Sequence, residues 1–481
     1  MPRLPGLWAL VFAAGAWAQT PVPAVDPFEG TWVGRVIAPN ATAEIGFDFI
    51  RSARGLGATF SMPAMLVARM NLGPAHITDD TYALPVLGIK LTRTGDVMTG
   101  TFANPLLRVE LRRGGELPAA PGLAPLPAAP APLWSRALAA KIWAAPVAAG
   151  GTIFVGDVAG KFYALRAADG SERWTWTGPN PLFGDALIDR DLVCFVDAAS
   201  DVIGLSRADG ALRWRVNLRE EKFAAVPADQ NPTFNHRTPV PVMAGGTLYV
   251  GSIDHGLYAL DGSTGEIRWR HEVGAPIYAS VALDGNELIA GCFDGTVLRL
   301  DRRTGAELAR VKLGGPIASA PVVVGETVIV GCRDYLLYGL KRTDLAVAWR
   351  DSFWFSWVES VPRVADGLIY VGGSDFRRVS ALEPGTGATR WAADVRGLTW
   401  GSPVVTATTI FAGTSAQRPA AIAHEGGITA LDRATGAVKW RHVTPLAAGA
   451  DRAGYLGSLA LADGKIIGAG YDGTVVAFPA N

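Results

Sequence analysis

The sequence predicts an all-β protein, an eight-bladed β-propeller preceded by a small antiparallel β-barrel. One observation is a tryptophan that recurs at intervals of 40 to 55 residues and is replaced once, by Ala309. The other is the phrase that each tryptophan closes, an apolar run and a turn with Gly or Asp, as in ALDGSTGEIRW. Such runs at a period near 40 residues are typical of four-stranded blades. The recurring side chains are Trp134, Trp174, Trp214, Trp269, Trp349, Trp391 and Trp440.

Residues 1–18 have the pattern of a signal peptide. One Arg precedes an apolar run over residues 7–14, and small residues precede a cleavage site after Ala18. No other apolar run approaches the roughly 20 residues needed to cross a bilayer. The first cysteine is Cys194, so no lipobox thiol lies beside the cleavage site. We therefore expect an exported protein, periplasmic or secreted, that does not span the membrane.

The charge balance of the chain is neutral. Its 481 residues include 44 Lys and Arg and 44 Asp and Glu. Nucleic-acid binding depends on clustered basic residues that release counterions, and no basic stripe is present. We therefore expect no nucleic-acid partner, and we expect a monomer.

The segment before the tryptophan repeats has two parts. Residues 26–113 alternate apolar and polar residues in short runs punctuated by Gly, Pro and Asp, which predicts short antiparallel strands. The opening FEGTWVGRV is similar to the first strand of small β-barrel domains that precede hydrolase or other catalytic domains in bacterial exported proteins. Residues 114–132 are rich in Pro and Ala and predict a semi-extended linker.

Residues 133–481 can be written as eight repeats of an inner strand, two middle strands and a tryptophan strand. The last repeat supplies three strands before the sequence ends, whereas residues 133–135 supply a lone tryptophan strand before the first full repeat. We therefore predict that the first strand completes the last blade and closes the ring. The repeats begin near Ala145, Gly184, Pro239, Ala279, Ala320, Ser360, Gly401 and Gly457.

The phrases GLYALDGSTGEIRW and GGITALDRATGAVKW resemble the pyrroloquinoline-quinone-like (PQQ-like) repeat of the WD40/quinoprotein-like propellers, over the whole of residues 133–481. The resemblance implies that each tryptophan docks between neighbouring blades, with glycines such as Gly265 and Gly436 making the turn before the last strand. Around Ala309 we expect looser packing or a different side chain filling the space. The repeat is shared by quinone-dependent dehydrogenases and by the propeller lipoprotein of the outer-membrane β-barrel assembly machinery, so fold alone does not assign a function.

Three cysteines are too few for a disulfide framework. Cys292 and Cys332 hold the same position in neighbouring repeats, each eight residues before the closing leucine. Two interpretations stay open, a disulfide between adjacent blades or two small buried side chains.

The longest connections are expected on one face of the propeller, because the chain reverses direction at every strand. They are residues 215–237, 351–360, 413–427 and 441–457. Aromatic rings with few charges on this face favour an extended peptide or a planar ligand, and packing at the channel mouth is the alternative. The candidates for ligand or partner binding are Trp143, Phe183, His236, Arg237, Tyr278, Trp354, Trp357, Glu359, Trp400 and Tyr455.

Aspartates recur in the turn between the second and third strands. Repetition in several blades favours a turn role, with the carboxylate accepting local backbone hydrogen bonds, over calcium binding. These residues are Asp254, Asp294, Asp334, Asp375 and Asp472.

We expect a non-enzymatic binding or scaffold protein that holds another cell-envelope protein or an extended peptide, without catalytic residues, metal or cofactor. The first alternative is a quinone (PQQ)-dependent oxidoreductase, with the quinone and Ca²⁺ at the channel mouth beside Trp357 or Trp400. The ligand motifs that it needs are not recognisable, and about 350 residues for eight blades leave little room for insertions. The second alternative is a small-molecule or glycan receptor built on the barrel.

Overall fold

The computed structural model describes residues 26–38, 41–53, 55–65, 67–84, 88–102, 104–119, 124–219, 238–354, 356–375, 377–417 and 424–480. The predicted signal peptide lies outside these residues. The chain divides into two compact units at Pro125 and Leu126. Each unit is built of antiparallel strands, with a short 3-10 helix at Pro63–Met65 in the first.

The first unit is a nine-stranded antiparallel sheet that curls into a nearly closed barrel. Its strand order is β4-β3-β2-β1-β9-β8-β7-β6-β5. The strands are β1 (Gly30–Ile37), β2 (Thr42–Ser52), β3 (Gly55–Met62), β4 (Val67–Pro74), β5 (His76–Thr78), β6 (Thr81–Leu84), β7 (Ile89–Thr94), β8 (Val97–Phe102) and β9 (Asn104–Arg113).

Aromatic side chains fill the interior of this barrel. Phe47 lies 5.3 Å from Phe60 and 6.2 Å from Tyr82, measured between ring centroids, and all three are buried. Trp32 is also buried, and its indole N–H donates to the Phe28 carbonyl at 2.7 Å. The barrel therefore has a solid core, as alternation of buried and exposed residues along each strand requires.

The second unit is the predicted eight-bladed propeller, in which blades 1 to 6 each have four antiparallel strands in sequence order. Blades 1 to 4 are β11 (Val147–Ala149), β12 (Thr152–Gly156), β13 (Lys161–Arg166), β14 (Glu172–Thr177); β15 (Leu187–Asp189), β16 (Leu192–Val196), β17 (Asp201–Ser206), β18 (Leu212–Asn217); β19 (Val242–Ala244), β20 (Thr247–Gly251), β21 (Gly256–Asp261), β22 (Ile267–Glu272); and β23 (Ala282–Asp284), β24 (Glu287–Gly291), β25 (Thr296–Asp301), β26 (Glu307–Lys312).

Blades 5 to 7 repeat this order, and blade 8 combines the two ends of the unit. Their strands are β27 (Val322–Val324), β28 (Thr327–Gly331), β29 (Leu336–Lys341), β30 (Val347–Ser352); β31 (Arg363–Ala365), β32 (Leu368–Gly373), β33 (Arg378–Leu382), β34 (Thr389–Asp394); β35 (Val404–Val405), β36 (Thr409–Gln417), β37 (Gly426–Asp432), β38 (Val438–Thr444), with β39 (Arg452–Gly454) beside them; and β40 (Ala460–Ala462), β41 (Lys465–Ala469), β42 (Thr474–Pro479), β10 (Trp134–Ala137).

The ring closes as the sequence predicts. Strand β10 pairs antiparallel with β42, with Trp134 opposite Ala477 and Ala137 opposite Thr474. The lone tryptophan strand therefore becomes the outer strand of blade 8, so the first and last strands of the propeller share one sheet.

The recurring tryptophans dock between blades. Trp214 donates from its indole N–H to the Gly262 carbonyl of the next blade at 3.2 Å, and Trp391 donates to Arg433 at 3.0 Å. A Cβ on Gly265 would lie 2.8 Å from the Trp214 ring, and one on Gly436 would lie 2.5 Å from Trp391. These turns therefore need glycine both for the close approach and for their φ angles of 77° and 75°.

At Ala309, other side chains occupy the space that a tryptophan ring takes at the other blade contacts. Leu345 stands where the next blade's turn elsewhere has glycine, and it is buried in the same cluster as Ala309. The Arg299 guanidinium donates to the Arg342 carbonyl at 2.7 Å, in place of the missing indole N–H. Of the two expectations for this position, looser packing or a different side chain in the space, the second is therefore correct.

Blade 7 differs from the predicted pattern. Residues 413–427 and 441–457 were expected to be connections, but β36 continues to Gln417 and pairs with β39, with Ser415 opposite Gly454. Near the start of the propeller, Ala129 donates its backbone N–H to the Arg441 carbonyl at 3.0 Å, and the Arg441 N–H donates to Pro127 at 2.8 Å. The end of the Pro/Ala segment is therefore attached to the edge of β38.

Candidate functional site

A cavity of about 290 Å³ opens at the propeller axis, on the face that carries the connections into the inner strands. Its wall takes residues from the connection into every one of the eight blades. One residue from each connection is Trp143, Asp185, Thr238, Tyr278, Ala318, Glu359, Trp400 and Gly457. A cavity assembled by all the blades is the central feature of this face.

Half of the candidate residues from the sequence meet at this cavity. They are Trp143, Phe183, Tyr278, Glu359 and Trp400. Three others lie outside its wall: Trp354 is buried near the start of the connection into blade 6, Trp357 packs against Arg333, and Tyr455 belongs to a buried cluster between blades 7 and 8. His236 and Arg237 fall outside the described residues.

One side of the cavity is an aromatic cluster around Trp143. Its ring centroid lies 6.1 Å from Phe183 and 5.9 Å from Tyr471, both edge to face. The Arg452 guanidinium lies 5.2 Å from the Trp143 ring and 5.7 Å from the Trp400 ring. Burial lowers the pKa of Arg452, and Tyr471 and Asp451 oppose this change. The cation holds two indoles of the wall in place through their π faces.

Sequence reasoning missed Tyr471 as part of this cluster. It belongs to the turn after β41, in which the sequence pattern indicated only the recurring aspartate, Asp472. The Tyr471 hydroxyl accepts a hydrogen bond from Lys141 Nζ at 3.1 Å. The available signal was an aromatic residue directly before the turn aspartate.

The other side of the cavity is built on a buried ion pair. Arg333 Nε lies 2.6 Å from Glu359 Oε1, and the side chains are 6% and 2% exposed. The Arg333 guanidinium also lies 4.4 Å from the Trp357 ring and 5.0 Å from the Phe293 ring. Glu359 therefore reaches the cavity wall with its charge compensated from behind, and Arg333 is a second residue that the sequence did not single out.

Tyr278 joins this side of the wall. It stands edge to face on Phe293 at 4.9 Å between centroids. Burial raises the pKa of the Tyr278 hydroxyl, and the nearby Arg333 opposes the change. The phenol is therefore neutral at physiological pH and can donate a hydrogen bond to a ligand.

Arg363 and Asp185 place charges on the wall from opposite blades, 6 and 2. Asp185 Oδ1 accepts the Ala145 backbone N–H at 2.6 Å. Partial loss of hydration at the cavity wall lowers the pKa of the Arg363 guanidinium, and Asp185 opposes the change. The wall thus combines four aromatic rings with polar groups and a few charges set at defined points.

The recurring aspartates act mainly as turn residues. Oδ1 of Asp254 and of Asp472 accepts the backbone N–H two residues later, each at 2.9 Å. Asp294 and Asp334 accept the equivalent N–H at 2.9 and 3.2 Å. Asp375 instead accepts a hydrogen bond from the Ser374 hydroxyl at 2.9 Å. Over the described ranges, no three His, Cys, Asp or Glu side chains come together as a metal site.

The disulfide interpretation for Cys292 and Cys332 is wrong, since both are free and fully buried. They belong to successive layers, Cys292 packing between blades 3 and 4 and Cys332 between blades 4 and 5. Cys332 Sγ donates instead to the Gly315 carbonyl at 3.1 Å. Burial raises the pKa of the Cys292 thiol to about 12, so it stays protonated.

The geometry defines an eight-bladed PQQ-like propeller protein with a cavity on its axis that is lined in part by aromatic rings. Residues 127–235, 228–292 and 293–481 match the family described as outer membrane protein assembly factor BamB. The matches cover more than half of the chain, and the chain belongs to this family. Among the residues that the structure describes, no helix is long and apolar enough to cross a membrane.

Individual relatives are more distant. BamB of Moranella endobia (strain PCIT) is 29% identical over 141 residues, which are 29% of this chain and 34% of the relative. The chain thus spans about a third of the length of this curated relative.

Solved structures share the fold at low identity. The computationally designed protein Ika8 gives a TM-score of 0.56 at 16% identity, over 72% of this chain and 99% of that one. A quinohemoprotein alcohol dehydrogenase of Pseudomonas putida HK5 gives 0.55 at 12% identity, over 73% and 76%. At these identities the likeness shows the propeller fold alone.

Proposed function

We propose that this chain is an exported, non-enzymatic scaffold of the cell envelope that binds an extended segment of another envelope protein at the axial cavity. The observation that carries the proposal is the wall itself, to which all eight blades contribute and in which Trp143, Phe183, Tyr278 and Trp400 take part. Large aromatic rings held by neighbouring side chains give contact area at little entropic cost when a ligand binds.

Family membership supports the location and the general role. The family is named for outer membrane protein assembly, and a partner-binding propeller in the periplasm fits that name. The partner of this chain is proposed from its own surface, because the curated relative is matched over only a third of its length.

The quinone-dependent alternative is less well supported than the scaffold. A quinone needs an open aromatic face for stacking. Each of the two candidate indoles already has a cation beside its ring, Arg333 at 4.4 Å from Trp357 and Arg452 at 5.7 Å from Trp400. Calcium needs several converging oxygen ligands, and no such acidic group occurs within the described segments. We expect a titration with quinone and calcium to show no saturable binding and no dye reduction.

A receptor built on the barrel is also less well supported. The space that a ligand would need inside this unit is taken by Phe47, Phe49, Phe60, Tyr82 and Phe102, all nearly fully buried. Ligand cavities in small barrels require an interior left open by the side chains.

Site-specific photocrosslinking tests the proposed function. The photoreactive p-benzoylphenylalanine replaces Tyr278 in the cavity wall or, as control, the exposed Arg303 in a turn on the opposite face. In intact cells that make the full chain, we expect one crosslinked envelope protein from position 278 and none from position 303. The crosslink should weaken when Trp400 is changed to Ala. Equal products from both positions, or none from position 278, would contradict the proposal.

A further inference from the structure

Arg363 differs from two other arginines near this face. Arg333 pairs with Glu359 at 2.6 Å, and Arg377 pairs with Asp394 at 2.8 Å. Within the part of the chain that the structure describes, the guanidinium of Arg363 has neither a hydrogen bond nor an ion pair, although it lines the cavity at the start of β31. Its five N–H donors are therefore available to a ligand.

The carboxylates on the cavity wall are already engaged. Glu359 holds Arg333, and Asp185 accepts the Ala145 N–H from its place across the axis. Asp185 acts on the Arg363 charge electrostatically, and within the described residues no ion pair joins Arg363 to either carboxylate. Among the described residues, the wall therefore presents one cation that has no hydrogen bond or ion pair, together with aromatic rings and two anions that have their own partners.

We propose that Arg363 binds a carboxylate of the partner segment that enters the cavity. This inference rests on the proposed function and adds the chemistry of recognition. A guanidinium matches a carboxylate with two parallel hydrogen bonds. A monoanion fits better than a phosphate, because the two acidic groups on the same wall would repel a second negative charge. The cavity of about 290 Å³ has room for one acidic side chain or one chain terminus of the partner segment.

Three matched pentapeptides serve as probes in calorimetric titrations of the full chain at low salt. They are acetyl-Ala-Phe-Glu-Phe-Ala-amide, its Gln counterpart, and the Gln peptide with a free C-terminal carboxylate. We expect the Glu peptide or the free-carboxylate peptide to bind about 10- to 100-fold more tightly than the blocked Gln peptide. Which of the two gains the affinity tells a side-chain carboxylate from a chain terminus.

Variants then locate the effect. Arg363→Gln should abolish the difference between charged and uncharged peptides, Arg363→Lys should keep part of it, and the matched control Arg303→Gln should leave it unchanged. Equal affinity of all three peptides for the wild-type chain, or a difference that survives Arg363→Gln, overturns the inference.

The failure of this inference is distinguishable from failure of the proposed function. If position 278 crosslinks a partner while the carboxylate has no effect on peptide binding, the scaffold role stands and the recognition chemistry is wrong. If charged peptides bind through Arg363 while no envelope protein is crosslinked, the cavity binds carboxylates but the proposed partner class is wrong.

Discussion

Leu345 and Ala309 lie in one buried cluster, at the two positions that glycine and tryptophan hold in the other blade contacts. Leu345 has a φ angle of 60°, in the left-handed region that a branched side chain rarely adopts. The backbone of the turn is thus kept while the large and small partners are exchanged across the interface. Such a swap preserves the total volume of the contact.

This relationship predicts a strong coupling between the two positions. Ala309→Trp alone should lower the free energy of unfolding by about 1 to 3 kcal/mol, because the indole meets Leu345. Leu345→Gly alone removes a buried leucine and should lower the free energy of unfolding by about 2 to 5 kcal/mol. Glycine relieves the backbone strain of the left-handed turn, which offsets part of this loss. The double variant should be more stable than the sum of the single effects, measured by urea unfolding in a double-mutant cycle. Additive effects would show that the two side chains do not share the space.

Trp269 represents the ordinary contact. Its indole N–H donates to the Arg302 carbonyl at 3.2 Å, and its ring lies over Gly305. Trp269→Ala should destabilise the propeller by about 3 to 5 kcal/mol, as for other packed aromatics. Ile267→Ala in the same strand is the matched control, since Ile267 is 42% exposed and should change stability by about 0.5 kcal/mol or less. An unchanged unfolding midpoint for the tryptophan variant would refute its packing role.

The repeated parts of the structure could be predicted from the sequence because each is encoded locally. The strand of Trp134 needs a sheet to pair with, and the last repeat, with three strands, is the only incomplete sheet in the repeat pattern. The tryptophan and glycine of each phrase likewise define the contact between blades without knowledge of distant residues.

The unique parts of the site could not be predicted in this way. Arg333 and Glu359 are separated by 26 residues and come from different blades, so their pairing depends on how neighbouring blades are rotated about the axis. The same holds for Arg452 between Trp143 and Trp400, whose positions are far apart in sequence. The disulfide interpretation for Cys292 and Cys332 was wrong for a related reason, since equivalent positions in adjacent blades lie in separate layers.

The ion pair behind the cavity predicts an asymmetric response to mutation. Glu359→Gln leaves the Arg333 charge buried without its partner and should cost about 3 to 5 kcal/mol of unfolding free energy. Replacing both, as Arg333→Met with Glu359→Leu, should recover most of that loss, because no charge is then left buried. Thermal unfolding of the propeller transition measures both. A double variant as unstable as the single one would indicate that the pair itself, including the stacking on Trp357, stabilises the fold.

Asp375 predicts a pH effect on stability. Burial raises the pKa of its carboxyl to about 6, and the Ser374 hydroxyl opposes the change. Because the folded state then holds the proton more tightly than the unfolded state, the free energy of unfolding falls as pH rises from about 4 to about 6. Asp375→Asn removes this loss and should be more stable than the wild type at pH 7 by about 1 to 3 kcal/mol. Urea unfolding between pH 4 and pH 7.5 measures the difference.

His424 predicts the opposite slope in the same pH range. Burial and the nearby Arg377 lower the pKa of its imidazole to about 4. Below pH 6.5 the unfolded chain takes up a proton that the folded chain refuses until about pH 4, so stability is lost on acidification. In the wild type the two slopes oppose each other, and Asp375→Asn should expose a steep loss between pH 6.5 and pH 4. His424→Gln should expose the reverse, a gain over that range. Parallel profiles for both variants and the wild type would mean that these two groups do not titrate as buried side chains.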